Sequence, residues 1–109
     1  MDKCYGKELI IDLSGCDTGR FTRKSIREYC QNVCDLIEVE KDKLTWSTDS
    51  SSAVQFIKTS NITVNTVVDA GTAYINVFSC KEFNGVVVMS YTRSWFRGNV
   101  EQTQVITRL

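Results

Sequence analysis

The sequence predicts an α/β domain of the α+β kind, a two-layer sandwich with an antiparallel β-sheet and two helices on one face. Between residues 22 and 37, apolar side chains recur every three or four positions, which is typical of a helix packed on a core. Between residues 61 and 67, apolar and polar side chains alternate, as in a strand with one buried face. With 109 residues, the chain suffices for one domain over residues 1–109.

The first helix, predicted over residues 22–37, has the clearest pattern in the chain. Its apolar stripe consists of Ile26, Cys30, Val33 and Ile37. Thr22 is a suitable N-cap, because its hydroxyl can accept a hydrogen bond from a backbone N–H of the first turn. Phe21 and Ile26 have the spacing of a hydrophobic staple, which fixes the entry of the chain into a helix.

The second helix is predicted over residues 83–96, where the pattern is ambiguous. Phe83, Val87, Tyr91 and Trp95 are four positions apart, which favours a helix that Gly98 would end. The run Val86-Val87-Val88 is also typical of a strand, and Asn84-Gly85 is a common hairpin turn, so a hairpin is the alternative.

Six strands complete the prediction. The three strands between residues 52 and 79 are rich in valine, isoleucine, threonine and phenylalanine. The last strand shows only a weak alternation of apolar and polar side chains. The six strands are predicted over residues 8–13, 44–47, 52–58, 61–67, 72–79 and 100–109. The order along the chain is therefore β-α-β-β-β-β-α-β.

Composition excludes several kinds of function. Thirteen basic residues balance thirteen acidic ones, which argues against nucleic acid or an anionic membrane surface as a partner. Histidine is absent, so histidine-based triads and metal sites are excluded. A general base near pH 7 would have to be a carboxylate, lysine or cysteine with a shifted pKa. No apolar run approaches the roughly 20 residues of a membrane span.

The five cysteines, at positions 4, 16, 30, 34 and 80, are an odd number. No signal peptide is visible after Met1, so we expect a cytoplasmic protein with free thiols. Cys30 and Cys34 lie one helical turn apart on the apolar stripe. Buried structural thiols are therefore the expectation there, and no metal is expected, since structural zinc needs four ligands.

Three segments carry a family motif. Residues 6–17 (GKELIIDLSGCD) are a glycine, an apolar strand and Gly-Cys-Asp; residues 59–69 are TSNITVNTVVD; residues 76–80 are NVFSC. Together they resemble the short prokaryotic form of S-adenosylmethionine decarboxylase. That family has the central motif Glu-Ser-His-x-x-x-His-Thr-x-Pro-Glu and a later Asp-x-Phe-x-Cys. The resemblance covers residues 6–109, and its spacing is matched without gaps from 52 to 69.

The resemblance implies a specific chemistry. In that family the motif serine attacks the preceding carbonyl, the chain splits, and the serine becomes a pyruvoyl group. The pyruvoyl carbonyl forms a Schiff base with the substrate amine and acts as an electron sink for decarboxylation. Ser60 matches the pyruvoyl precursor, with cleavage between Thr59 and Ser60. Ser52 matches a serine that assists processing, Cys80 matches the proton donor, and Asp69 replaces a glutamate that holds the ribose hydroxyls.

This sequence departs from the family motif at three positions where the family has a glutamate or a histidine. Asn65 replaces the processing histidine, Thr59 replaces the glutamate before the serine, and Asn61 replaces the histidine after it. Asn65 remains a candidate catalytic residue, and Asn61 and Asp69 are candidate substrate-binding residues. Asparagine cannot remove a proton at neutral pH, and general base help is worth about 10² to 10⁴ in rate. An unprocessed proenzyme with an intact Ser60 is therefore expected.

The sequence thus predicts an S-adenosylmethionine decarboxylase-like protein of polyamine biosynthesis. Its substrate would be S-adenosylmethionine or a related amine, and the resemblance implies a homodimer or higher homo-oligomer with sites between subunits. We expect four side chains to converge on one pocket: Ser60, Asn65, Asp69 and Cys80. Three alternatives remain: a lyase or hydrolase that cleaves S-adenosylmethionine without a pyruvoyl group, a non-catalytic binding or regulatory paralogue, and an arginine or ornithine decarboxylase.

Overall fold

A computed structural model describes residues 6–109 and confirms the predicted order of elements. The strands are β1 (Gly6–Ser14), β2 (Lys41–Trp46), β3 (Ser52–Ile57), β4 (Ser60–Val67), β5 (Thr72–Ser79) and β6 (Asn99–Arg108). The helices are α1 (Arg23–Leu36) and α2 (Gly85–Phe96), and a short 3-10 turn spans Thr18–Arg20. No helix in this part of the chain is long and apolar enough to cross a membrane.

The six strands form one antiparallel sheet in the order β2-β3-β4-β5-β1-β6. The first strand therefore lies between the fifth and the last, with Leu9 opposite both Val77 and Val105. This arrangement confirms the predicted α+β sandwich with an antiparallel sheet and two helices.

One face of the sheet, here called the covered face, packs against the helices. Its buried side chains are Leu9, Ile11, Leu13, Ile62, Val64, Ala73, Ile75 and Val77. Burying an aliphatic side chain of this size stabilises a fold by about 1.5–3 kcal/mol. The opposite face, here called the open face, presents side chains such as Asn61, Thr63 and Asn65. The alternation predicted for residues 61–67 is therefore confirmed.

Helix α1 begins where the sequence predicts. The Thr22 hydroxyl accepts a hydrogen bond from the Ser25 N–H at 3.1 Å, so Thr22 is the N-cap. The predicted stripe is buried: Ile26, Cys30 and Val33 are fully enclosed, and Ile37 follows as the C-cap. The helix is thus held by its apolar face rather than by propensity alone.

Helix α2 settles the ambiguity of residues 83–96, and the hairpin alternative is wrong. The Asn84 side-chain oxygen accepts from the N–H groups of Val86 and Val87, so Asn84-Gly85 starts a helix instead of making a turn. The helix ends at Phe96, and its C-cap Arg97 has a left-handed backbone (φ 54°) directly before Gly98. Tyr29 and Thr92 share a buried hydrogen bond of 2.6 Å that joins the two helices.

The cysteines lie in two kinds of environment. Cys16, Cys30 and Cys34 are buried free thiols, and Cys80 is partly exposed. Cys4 lies outside the described residues. Burial raises the pKa of Cys30 to about 12 and that of Cys34 to about 11. Within residues 6–109, no group of three or more acidic, cysteine or histidine side chains could hold a metal ion.

Candidate active site

Ser60 lies at the first position of β4, immediately after the turn from β3, and its side chain is buried. Its hydroxyl oxygen accepts a hydrogen bond from the Cys80 N–H at 3.2 Å. A hydroxyl has one hydrogen to donate and two lone pairs to accept with. The bond from Cys80 occupies a lone pair and not the hydroxyl hydrogen, so Ser60 can still donate that hydrogen.

Cys80 follows β5 and lies beside the Thr59–Ser60 peptide bond. Its thiol donates to the Thr59 carbonyl oxygen, with sulfur and oxygen 3.5 Å apart. The antiparallel pairing of β4 with β5 explains this proximity, because Asn61 opposite Phe78 brings the start of one strand to the end of the other. Cys80 thus contacts the serine hydroxyl through its backbone and the neighbouring carbonyl through its side chain. We call Thr59, Ser60 and Cys80 the peptide-bond group.

Ser52 and Asn65 form a second polar contact, on the open face. They are directly paired across β3 and β4, and the Ser52 hydroxyl donates to the Asn65 side-chain oxygen at 2.7 Å. An amide oxygen accepts a hydrogen bond but takes up no proton near neutral pH. Asp69 lies in the turn from β4 to β5, beyond Asn65, and is exposed. We call Ser52, Asn65 and Asp69 the amide group.

The two groups lie at opposite ends of β4. Ser60 and Asn65 are separated by five strand positions, or about 16 Å at the usual rise per residue. Their side chains also point to opposite faces, since alternate positions of β4 are buried. The expectation that Ser60, Asn65, Asp69 and Cys80 converge on one pocket is therefore not met within one chain.

A cavity of about 540 Å³ opens on the open face beside the peptide-bond group. Its lining residues are Gly6, Glu8, Asn61, Phe78, Cys80, Arg108 and Leu109. Two predicted site residues, Cys80 and Asn61, thus share one cavity. Sequence reasoning missed Glu8, Phe78 and Arg108 as site residues, although the alternation of β1 already placed Glu8 on the face opposite Leu9.

Glu8 is the centre of a hydrogen-bonded network in this cavity. One carboxylate oxygen accepts from the Arg108 guanidinium at 2.7 Å, and the other accepts from the Asn76 amide at 3.0 Å. The strand register accounts for both contacts: Asn76 is paired with Ile10 and Arg108 with Gly6, so each is a diagonal neighbour of Glu8. The cavity therefore contains a negative and a positive side chain that already neutralise each other.

Comparison with known proteins assigns the family. The family model described as S-adenosylmethionine decarboxylase matches residues 7–109. The chain belongs to the S-adenosylmethionine decarboxylase family. The resemblance carried by the three sequence motifs is thus confirmed. No curated protein sequence matches the chain.

Among solved structures, the chain is similar to the crystal structure of the adenosylmethionine decarboxylase from Aquifex aeolicus VF5. The two share 18% sequence identity with a TM-score of 0.74, and the match covers 98% of this chain and 91% of that one. At this identity the likeness concerns the fold.

Proposed function

We propose that the protein is an S-adenosylmethionine decarboxylase of polyamine biosynthesis that cleaves itself between Thr59 and Ser60. One observation carries the proposal: Cys80 contacts both the attacking hydroxyl of Ser60 and the carbonyl oxygen of Thr59. In the first step, the Ser60 oxygen bonds to the Thr59 carbonyl carbon and the peptide C–N bond breaks. The hydroxyl proton goes to the released nitrogen, so an ester replaces the amide.

The surroundings of the peptide bond favour this step. The thiol hydrogen bond draws electron density towards the Thr59 oxygen, which makes the carbonyl carbon more electrophilic. Burial of Ser60 keeps bulk water away from the ester that forms. A pyruvoyl group made from Ser60 fits the same place, because the Cys80 N–H that now bonds the hydroxyl is a suitable donor to a keto oxygen.

When formed, the pyruvoyl group would supply an electron sink for decarboxylation. The residues around it would do the rest. Cys80 lines the cavity, and its thiol would donate the proton to the substrate carbon after decarboxylation. Asp69 would hold the ribose hydroxyls, and Asn61, which also lines the cavity, would contact the substrate.

The second processing step, elimination of the ester, needs a base to remove the proton from the α-carbon of residue 60. It would release the Thr59 carboxylate and leave a terminal dehydroalanine, whose imine tautomer water hydrolyses to the keto group with loss of ammonia. Asn65 cannot act as that base. A rate lower by about 10² to 10⁴ is expected without general base catalysis. The chain therefore accumulates as a proenzyme with Ser60 intact and is processed slowly.

A homodimer would bring the two groups of site residues together. The amide group lies along the open face, on which Phe56 and Tyr74 are also exposed, each by 45%. Two open faces packed in opposite directions would place Asn65 of one copy across from the Cys80 end of the other. We therefore propose cytoplasmic homodimers with two sites, each completed by the partner.

Intact mass spectrometry of the denatured protein tests the proposal. The expected result is a main species at 12.4 kDa with a minor pair of fragments that increases over days. The C-terminal fragment should begin at residue 60 and react with a hydrazine reagent, because its amino terminus is replaced by a ketone. Ser60→Ala should give no fragments. If Ser60→Ala gave as much of the two fragments as the unmodified protein, self-cleavage by Ser60 would be contradicted, since alanine has no hydroxyl to attack with.

A second candidate is a pyruvoyl-free protein that cleaves S-adenosylmethionine, and Asn65 is the observation that favours it. The sulfonium sulfur is already an activated leaving group, so binding and orientation alone could promote cleavage. The reactions differ in their products: decarboxylation releases carbon dioxide, whereas cleavage next to sulfur leaves the carboxylate on the amino-acid fragment. A non-catalytic paralogue would yield neither product while binding the ligand, and an arginine or ornithine decarboxylase would release carbon dioxide only from those amino acids.

A further inference from the structure

The Arg108 side chain lies in the cavity beside Cys80 with donors to spare. A guanidinium carries five N–H donors, and the hydrogen bond to Glu8 uses the Nη1 end. The side chain is 57% exposed, whereas that of Glu8 is 19% exposed. Arg108 is thus held by a more enclosed carboxylate, while more than half of its own side chain stays exposed at the cavity.

Glu8 already pairs with two partners in this cavity. Both of its oxygens accept hydrogen bonds, one from Arg108 and one from Asn76. Its charge is neutralised by the guanidinium, so a cationic group of a ligand would have to displace Arg108 to bind Glu8. The unused capacity of the network therefore lies on the arginine and suits an anionic ligand.

We propose that Arg108 binds the α-carboxylate of an amino-acid substrate in this cavity, with Glu8 and Asn76 as positioning residues. The inference rests on the proposed function, because it takes the ligand to be S-adenosylmethionine or a related amino acid. Arginine pairs with carboxylates through two parallel N–H···O bonds, which fixes orientation as well as position. The apolar ring of Phe78 and the thiol of Cys80 line the same cavity.

This role has a consequence for the kinetics. The carboxylate that Arg108 binds is the group a decarboxylase removes, so the contact stabilises the bound substrate and is lost as the reaction proceeds. Interactions made in the ground state improve KM without raising kcat. Arg108 would therefore determine which ligands bind, selecting the amino acid over its decarboxylated product.

Calorimetry with two ligands tests the inference on the full chain. S-adenosylmethionine carries the carboxylate, whereas 5′-methylthioadenosine has the same nucleoside without it. Arg108→Gln should weaken binding of S-adenosylmethionine by about 10- to 100-fold, as expected for a charge-assisted hydrogen bond. Binding of 5′-methylthioadenosine should change less than about twofold by the same reasoning. Arg108→Lys should recover part of the loss, because it restores the charge without the fork.

Two results would overturn the inference. If Arg108→Gln weakens the binding of both ligands equally, Arg108 stabilises the cavity and does not bind the carboxylate. In that case the variant would also unfold at a lower temperature. If it weakens neither, Arg108 makes no contact with the ligand, and the proposed function stands. If the unmodified chain binds neither ligand, the proposed function fails together with the substrate assignment. Glu8→Gln tests the positioning role: it should weaken binding of S-adenosylmethionine in the same direction as Arg108→Gln, but by a smaller factor.

Discussion

The two ends of β4 each hold a serine hydroxyl against a polar partner, yet they differ in what the hydroxyl can do. At the start of the strand, the buried Ser60 oxygen accepts a hydrogen bond from a backbone N–H, which leaves its own hydrogen able to be donated. At the far end, Ser52 donates its hydrogen to Asn65 on the open face. The first arrangement suits a nucleophile, and the second suits a residue that positions its neighbour.

The comparison shows that neither end is a complete catalytic site. The peptide-bond group has a nucleophile and a polarised carbonyl but no group suited to remove a proton from the α-carbon. Under the proposed function, Asn65 would stand in place of a processing histidine, but an amide side chain cannot accept a proton near neutral pH. The proposed processing would therefore depend on the chemistry of the amide group and on whether a second copy of the chain brings that group close to Ser60.

Replacing Asn65 by histidine should give the largest effect. Asn65→His restores a side chain whose pKa allows it to act as a base near pH 7, so self-cleavage should accelerate by about 10² to 10⁴. The measurement is the fraction of cleaved chain over time by intact mass. Asn65→Gln is the matched control, because it changes the shape without supplying a base.

The outcome would break or sharpen the comparison of the two ends. Acceleration that rises with protein concentration would support a site completed by a partner. An unchanged rate would contradict the assignment of Asn65 to the base position. It would indicate that the replacements at Thr59 and Asn61 also prevent self-cleavage. Cleavage without decarboxylation of S-adenosylmethionine would retain the processing chemistry and exclude that substrate.

The thiols of the core and of the site should differ strongly in reactivity. Burial raises the pKa of Cys30 to about 12 and of Cys34 to about 11, so at pH 8 both remain protonated and enclosed. The thiolate is the reactive form, and its fraction grows only as the pH approaches those values. A thiol reagent at pH 8 should therefore modify Cys80 at least about 100-fold faster than Cys30 or Cys34 in the folded protein.

Peptide mapping after timed labelling checks this expectation. In denaturant, the thiols should react at similar rates, which serves as the control for reagent access. Rapid labelling of Cys30 or Cys34 without denaturant would mean that α1 opens readily, which would contradict a helix held by its buried stripe.

Removing the Asp69 carboxylate should weaken ligand binding at the amide-group end. If this carboxylate accepts from ribose hydroxyls, Asp69→Ala should cost about 1–3 kcal/mol in binding of S-adenosylmethionine. Calorimetry gives the value, and Asp35→Ala is a matched control, since Asp35 is exposed on α1 away from the open face. Equal effects of the two substitutions would exclude a ribose contact and leave only a change of net charge.

The thiol contact to the Thr59 carbonyl should make a modest contribution to cleavage. Cys80→Ala keeps the backbone N–H that bonds Ser60 but removes the S–H donor, and a neutral hydrogen bond is worth about 0.5–1.5 kcal/mol. In the Asn65→His background, cleavage should therefore slow by about 2- to 10-fold. Cys80→Ser should retain most of the rate, because a hydroxyl also donates. Complete loss of cleavage in Cys80→Ala would mean that the thiol acts as the base.

The sequence was sufficient for most of the fold because the patterns that define it are local. In β1, Leu9, Ile11 and Leu13 share one face and are flanked by Glu8 and Asp12. In α1, Ile26, Cys30 and Val33 follow the helical period. Each element therefore indicates its own buried face. Residues 83–96 were ambiguous because periodicity alone does not separate a valine-rich helix from a strand. The decisive feature was the side chain of Asn84, which caps the helix.

The site was predictable only where strand pairing is implied by short connections. Ser60 and Cys80 meet because β4 and β5 are neighbours joined by a short turn. Arg108 could not have been placed beside Glu8, because that contact depends on how β6 aligns with β1 from the opposite end of the chain. The alignment includes a register shift between Asp12 and Leu13 that no sequence pattern marks.

The strand order determines what would happen to the molecule after a cut at Thr59–Ser60. The first piece would contribute β1, β2 and β3, and the second would contribute β4, β5 and β6. Because β1 is inserted between β5 and β6, and β3 pairs with β4, the pieces would remain joined along three strand boundaries. Severing the backbone would thus leave one interlocked body, and the fragments would separate only when the whole sheet unfolds.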